Sequence, residues 1–190
     1  ENPGRFSHYR EMDMDVHARC VAILLFFVSD SSVVVAAENA QQLIFMQVGK
    51  PTSTQNVNIT TVDLKYHNMF WSWGQTGCQF GLGARVGWFE VANESTARLG
   101  GGGRIGCQWG HWQTWVPLEM VWLEQHSFGE RGAAFKDYGG PFQFVSGLGV
   151  GYAFNEQWSL GYQFEHMSNW HMYEPNPALN SHNLVVSYRF

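Results

Sequence analysis

The chain has 190 residues, a formal net charge of -5 at pH 7, and 16% aromatic residues against only 14% charged ones. That length suits a single domain, and the acidic balance with scattered Lys and Arg offers no basic stripe, which argues against a nucleic-acid partner. A mean hydropathy of -0.23 excludes a bundle of membrane helices but not a membrane β-barrel, whose lipid-facing and lumen-facing residues alternate and average out.

Over 14–37 the residues have the order of an export signal. His17 and Arg19 lead into an apolar run at 20–28, a polar Ser29-Asp30-Ser31-Ser32 follows, and Val35 and Ala37 stand where a signal peptidase reads small side chains. Residues 1–37 are therefore expected to be a leader and signal-like segment cleaved before Glu38, and residues 38–190 a single domain. The apolar run is too short for a transmembrane helix, which needs about 20 apolar residues. Cys20 opens that run instead of following it, so a lipoprotein anchor is not indicated.

From about residue 42 the pattern has period two, and no segment keeps a helical stripe. Strands are expected at 42–49, 59–72, 77–91, 98–109, 112–125, 141–154, 157–168 and 181–190. Phe80, Leu82, Val86 and Trp88 share one face of the third, and Gln79, Gly81, Gly83, Arg85 and Gly87 the other. In the sixth, Phe142, Phe144, Leu148, Val150, Tyr152 and Phe154 oppose Gln143, Gly147, Gly149, Gly151 and Ala153. Alternation alone fits a soluble sandwich as well as a barrel. Small and polar residues opposite aromatics suit a narrow barrel, whose lumen is filled by side chains while its outer wall meets lipid.

The strand number is even, as closure of an antiparallel membrane barrel requires, and short connections near 73–76, 109–112 and 155–157 alternate with longer ones at 50–58, 92–97, 126–140 and 169–180. The last strand carries Leu184, Val186, Tyr188 and Phe190 on one face, resembling the C-terminal signature of bacterial outer-membrane proteins. The fold class expected is all-β: an eight-stranded antiparallel outer-membrane β-barrel, with a secreted β-sandwich as the alternative. In the barrel, Asp63, Lys65, Arg85, Glu119 and Glu165 are candidates for a lumenal polar network or for rim charges. Cys78 and Cys107 fall on neighbouring strands, where they either pair or serve as two small apolar residues.

Chemistry concentrates on the seventh strand. Trp158, Leu160, Tyr162, Phe164, His166 and Ser168 share the aromatic, lipid-facing side, and Glu165 faces the lumen. Residues at i and i+2 of a strand stand about 7 Å apart at Cα, within reach for an imidazole to serve a serine hydroxyl. A polar pair in an apolar row is otherwise costly in hydrocarbon, although at headgroup height a His and a Ser are ordinary.

The segment His166-Met167-Ser168-Asn169, followed by Glu174-Pro175-Asn176-Pro177 and Asn180-Ser181, resembles the PagL-type lipid A 3-O-deacylases over roughly the last fifty residues. The resemblance implies an outer-membrane barrel that removes the ester-linked acyl chain at position 3 of lipid A. It implies Ser168 as nucleophile and His166 as general base, with Asn169 and Asn176 near the oxyanion. The position matching the family's triad Glu is Asn180, which can orient the imidazole but not stabilise an imidazolium as a carboxylate does; Glu174 is the alternative third member. Trp170 and His171 stand where the family commonly has small residues and would narrow an acyl groove. His111, His126, His171 and His182 show no ligand spacing, and no metal or cofactor is expected. The partners expected are lipopolysaccharide and the outer membrane, with a homodimer also carried. A non-catalytic structural or adhesive barrel and an acyltransferase barrel remain as other readings.

Overall fold

The computed structural model describes residues 41–131 and 134–190. The expected leader at 1–37 and its cleavage before Glu38 lie outside the described residues. Ten strands follow in order: β1 (Gln41–Pro51), β2 (Ile59–Ser72), β3 (Cys78–Val91), β4 (Glu94–Trp109), β5 (Trp112–Leu123), β6 (Ser127–Gly129), β7 (Phe135–Asp137), β8 (Phe142–Ala153), β9 (Trp158–Ser168) and β10 (Leu179–Arg189). Eight close into a barrel in the order β1-β10-β9-β8-β5-β4-β3-β2, and β6 and β7 form a separate hairpin. Closure comes from β1 pairing antiparallel with β10, from Leu43 opposite Arg189 to Pro51 opposite Ser181. The wall has no unpaired edge, the condition for backbone to lie in hydrocarbon.

Two connections differ from expectation. The loop expected at 92–97 is a tight turn at Ala92 and Asn93, with φ of 54° and 66°, and β4 begins at Glu94, opposite Val91. Positive φ at both central residues is the turn that matches the twist of a hairpin, so the polar stretch after it extends the strand. The long connection after β5 is not plain loop either; it carries the β6–β7 hairpin.

Side-chain parity sorts the wall as the alternation required. Leu82, Trp88, Leu118, Leu148 and Leu184 are more than half exposed on the outer face, an apolar surface that only lipid covers well. Trp71, Trp73, Trp109, Trp112 and Trp158 crowd the end with the short turns, and Trp88 and Trp122 stand toward the other. Aromatic rings at two levels match the two interfaces of a bilayer.

The lumen is filled in three layers. At the loop end, Phe128 and Tyr138 of the hairpin region pack around Phe89, with ring centroids 5.8 and 5.3 Å away, in a cluster that includes Val121, Val145, Met167 and Leu179. In the middle, Arg85 donates to Asp63 (3.0 and 2.8 Å), Glu119 (2.7 Å) and Glu165 (2.8 Å). Arg98 also donates to Asp63, and Lys65 to Glu119 at 3.2 Å. At the turn end the Arg104 guanidinium lies over the rings of Phe45 and Trp115, at 4.1 and 4.6 Å. The Trp115 indole fits only because Gly149 faces it: a Cβ there would sit 2.0 Å from the ring. Cys78 and Cys107 are register partners and form a disulfide.

Arg85 is the shared donor of the middle layer, so its loss leaves three carboxylates buried without their common cation. Arg85→Met is expected to lower stability by about 3–5 kcal/mol, measurable as a shift in urea-unfolding midpoint by tryptophan fluorescence in lipid vesicles. An unchanged midpoint would show that the layer reorganises without it.

Candidate active site at the outer rim of β9

The inward residues of β9 are tied into the lumen. Gln163 receives the Trp115 Nε1–H (2.6 Å), and Glu165 accepts from Gln47 (2.9 Å) as well as Arg85. The intervening outward residues are thereby fixed in direction, because successive side chains of a strand point to opposite faces. His166 and Ser168 lie in the outward row with Tyr162 and Phe164, while Met167 between them is buried.

His166 is bracketed by its two neighbouring strands. On β10 its register partner is Asn180, and His166 Nδ1 and Asn180 Oδ1 are 2.7 Å apart. On β8 its partner is Ser146, which sits in an outward row otherwise made of Phe142, Phe144, Leu148 and Val150. Sequence reasoning passed over Ser146, although a serine in that row was the available signal. Glu174, the alternative third member, is exposed in the 169–178 loop and makes no ion pair with His166 among the described residues. The structure thus pairs His166 with Asn180, while Ser168 stands two residues along the same face with no side-chain hydrogen bond to His166 among the described residues.

The two asparagines that the resemblance places near the oxyanion differ in their surroundings. Asn169 is fully buried, and its Nδ2 donates to the carbonyls of Tyr138 (3.1 Å), Tyr173 (3.2 Å) and Pro175 (2.9 Å). Its own N–H donates to Asn176 Oδ1 at 3.0 Å. With these donors engaged inside the loop, Asn169 organises the segment. Asn176 is half-buried; the same bond fixes its amide plane and leaves Nδ2 as a donor without a partner among the described residues.

The 169–178 loop is also fastened to the segment before β8. A Cβ on Gly139, whose φ is +79°, would lie 2.0 Å from the Pro175 carbonyl oxygen, and one on Gly140 would lie 2.3 Å from the Tyr173 ring. Asp137 accepts the Gly139 N–H at 2.8 Å and lies 3.3 Å from His126. Its burial favours the neutral acid, but the Gly139 N–H, Ser127 and His126 outweigh this and hold the carboxyl below its ordinary range. The Tyr138-Gly139-Gly140-Pro141 stretch is thus part of the site's frame, a role that its sequence did not announce.

Just beyond Ser168 the chain turns sharply. The Met172 N–H donates to the Asn169 carbonyl at 3.0 Å, across Trp170 and His171 with φ of 50° and 60°. Two left-handed residues in a four-residue turn normally call for Asn-Gly; bulky side chains there cost roughly 1–2 kcal/mol each. Trp170 is 68% exposed and packs edge-on against Phe144 at 5.1 Å, and Phe144 is the register partner of Ser168. Phe144, paired in register with Ser168, and the Trp170 ring packed on it are the aromatic neighbours at this end of β9.

Against known proteins, residues 60–189 match the family described as lipid A 3-O-deacylase (PagL). The chain belongs to the PagL family. Among curated relatives, the lipid A deacylase PagL of Bordetella bronchiseptica (strain ATCC BAA-588 / NCTC 13252 / RB50) is 25% identical over 155 residues, covering 75% of this chain and 79% of that protein. Among solved structures, the crystal structure of the outer membrane enzyme PagL superposes with a TM-score of 0.55 at 15% identity, over 76% of this chain and 97% of that one; this likeness establishes the shared barrel. A closed barrel with an apolar outer wall, in this family, is a protein of the bacterial outer membrane. This PagL-family chain is accordingly a lipid A 3-O-deacylase.

If the loop is held by its fit to Gly139, Gly139→Ala should displace it while leaving the barrel closed. Lipid A deacylation is expected to fall by about a hundredfold, the scale of a 1 Å misplacement, with unchanged heat-modifiable gel mobility. Full activity in this variant would separate the loop from the site.

Proposed function

We propose that this protein hydrolyses the 3-position acyl ester of lipid A through an acyl-enzyme, with Ser168 as nucleophile and His166 as general base. One observation carries the reading: His166 is oriented by a 2.7 Å hydrogen bond to Asn180, on the lipid-facing row that Ser168 shares. When Nδ1–H donates to the Asn180 carbonyl, Nε2 keeps its lone pair for the serine proton. The Ser168 oxygen attacks the ester carbonyl, and Nε2 takes the hydroxyl proton and returns it to the departing sugar oxygen. Water then attacks the acyl-serine with the same base, releasing a fatty acid and restoring Ser168. The Asn176 Nδ2 supplies a donor for the oxyanion, where one well-aimed hydrogen bond contributes about 3–4 kcal/mol to the transition state.

The position of the pair explains the choice of substrate. The lumen is packed, so no acyl chain enters it; the ester is met from the side, in the plane of the leaflet. The sugar stays at the rim, and the chains run down the wall past Phe164, Phe144 and Trp170.

In detergent, the wild type is expected to release a free 3-position fatty acid from lipopolysaccharide, seen by mass spectrometry of lipid and product, and Ser168→Ala to release none. Release at the wild-type rate by Ser168→Ala would remove this serine from the mechanism. A transferred chain in place of a freed one would make the protein an acyltransferase.

The third member gives an independent check. Asn180→Glu places a carboxylate against the imidazole, which stabilises the protonated ring formed in the transition state. The turnover number is expected to rise by about tenfold, and because the charged ring is also favoured in the resting enzyme, the acid limb of the pH–rate profile moves to higher pH. Asn180→Ala is expected to lower turnover by at least as much, without moving that limb upward. Equal turnover in all three proteins would show that Asn180 does not act on His166.

A further inference from the structure

The second half of an acyl-enzyme reaction needs what the first half does not, a water held beside the base. By then the serine oxygen is esterified and has no proton of its own to offer that water. Most outward neighbours of His166 offer none either. Phe164 precedes it on β9, Phe144 and Leu148 flank the facing position on β8, and the Trp170 ring packs on Phe144 at 5.1 Å.

Ser146 is the exception. It is the direct register partner of His166 on β8, as Asn180 is on β10, so Asn180, His166 and Ser146 form one polar rung across three strands. Register partners on one face stand about 4.5–5.5 Å apart at Cβ, whereas residues at i and i+2 of a strand, such as His166 and Ser168, are about 7 Å apart at Cα. The imidazole is engaged on one side only: Nδ1 is 2.7 Å from Asn180 Oδ1 on β10. Its two ring nitrogens look in different directions, and Nε2 is turned away from β10, toward β8. Ser146 is half-buried, and its hydroxyl has no hydrogen-bond partner among the described residues. An unpaired hydroxyl in a lipid-facing row costs free energy. It can donate one hydrogen bond and accept others, and two polar groups too far apart for a direct bond are joined by a bridging water with little loss of enthalpy.

We infer that Ser146 holds the hydrolytic water against His166 Nε2. The Ser146 hydroxyl donates to the water oxygen, and the water in turn donates to Nε2. A bond forms between the water oxygen and the acyl carbonyl carbon while the water proton passes to Nε2. The bond from that carbon to Ser168 Oγ then breaks, and Oγ takes the proton back from Nε2. Fatty acid and free Ser168 result, and Ser146 is unchanged. This rests on the acyl-serine reading above and adds to its second half-reaction alone.

Loss of the water's holder slows deacylation without slowing acylation, so acyl-enzyme accumulates. Lipopolysaccharide in detergent is mixed with wild type, Ser146→Ala or Ser146→Thr and quenched in acid at intervals. Mass spectrometry then follows deacylated lipid A, free fatty acid and intact protein. In Ser146→Ala the first turnover is expected within about twofold of wild type and steady turnover to fall by about a hundredfold, the scale of a misplaced reactant. The protein should gain one acyl group, mapped by peptide to Ser168, and Ser146→Thr, which keeps the hydroxyl, should recover most of the turnover. Unchanged steady turnover in Ser146→Ala overturns the inference. Equal slowing of first and later turnovers without an adduct also overturns it, because a merely structural role gives that result. An acyl group mapped to Ser146 in the wild type overturns it by making that serine the nucleophile. Failure of the underlying reading looks different: Ser168→Ala then releases fatty acid at the wild-type rate, and no protein carries an acyl group on Ser168.

Discussion

The Arg85 guanidinium, bonded at once to Asp63 on β2, Glu119 on β5 and Glu165 on β9, is the constraint on which the rest of the barrel depends. It joins the near and far walls of the lumen through charges that have no water to return to. Burying such charges is expensive unless every partner is present. Lys65 and Arg98 complete the set, so three carboxylates face three cations, and the Gln47 and Gln163 amides bond to the remaining Glu165 oxygen. A layer of this kind tolerates few alternative registers. A slip of one residue on β9 would turn Glu165 into lipid and bring His166 inside.

That coupling between the two faces of β9 is how an interior ion network reaches an exterior site. Glu165 and Gln163 lock the strand from within, and His166 and Ser168 inherit their direction outside. Asn180 then sets the imidazole from β10, while Asn169 gathers three carbonyls of the adjoining segments into one compact loop. The strained turn at Trp170 and His171 is tolerated because that loop is fastened at both ends. Strain held by its surroundings is a common property of functional segments.

Much of this was legible in the residues because a barrel strand poses a binary question. Once Trp158, Leu160, Tyr162 and Phe164 identify the outer row of β9, His166 and Ser168 must join it and Glu165 must not. The same parity placed Arg85, Asp63 and Glu119 among candidates for the lumen. It left the disulfide open, because pairing of Cys78 with Cys107 depends on register across a turn, not on face. The turn at Ala92 and Asn93 was misread as part of a longer loop since Glu94, Ser95 and Thr96 are polar; strands that project beyond the bilayer no longer need greasy outer rows. The role of Asn169 was beyond reach for another reason. Its partners at Tyr138, Tyr173 and Pro175 come from loops that meet only in three dimensions, and no local pattern records such a meeting.

The filled lumen has a consequence for the cell as well as for the site. Phe128 and Tyr138 close one end, the ion layer occupies the middle, and Arg104 between Phe45 and Trp115 closes the other. No continuous column of water can run through such an interior, so neither ions nor small solutes leak along it. A bacterium can therefore carry many copies in its surface without weakening the permeability barrier that the surface exists to maintain.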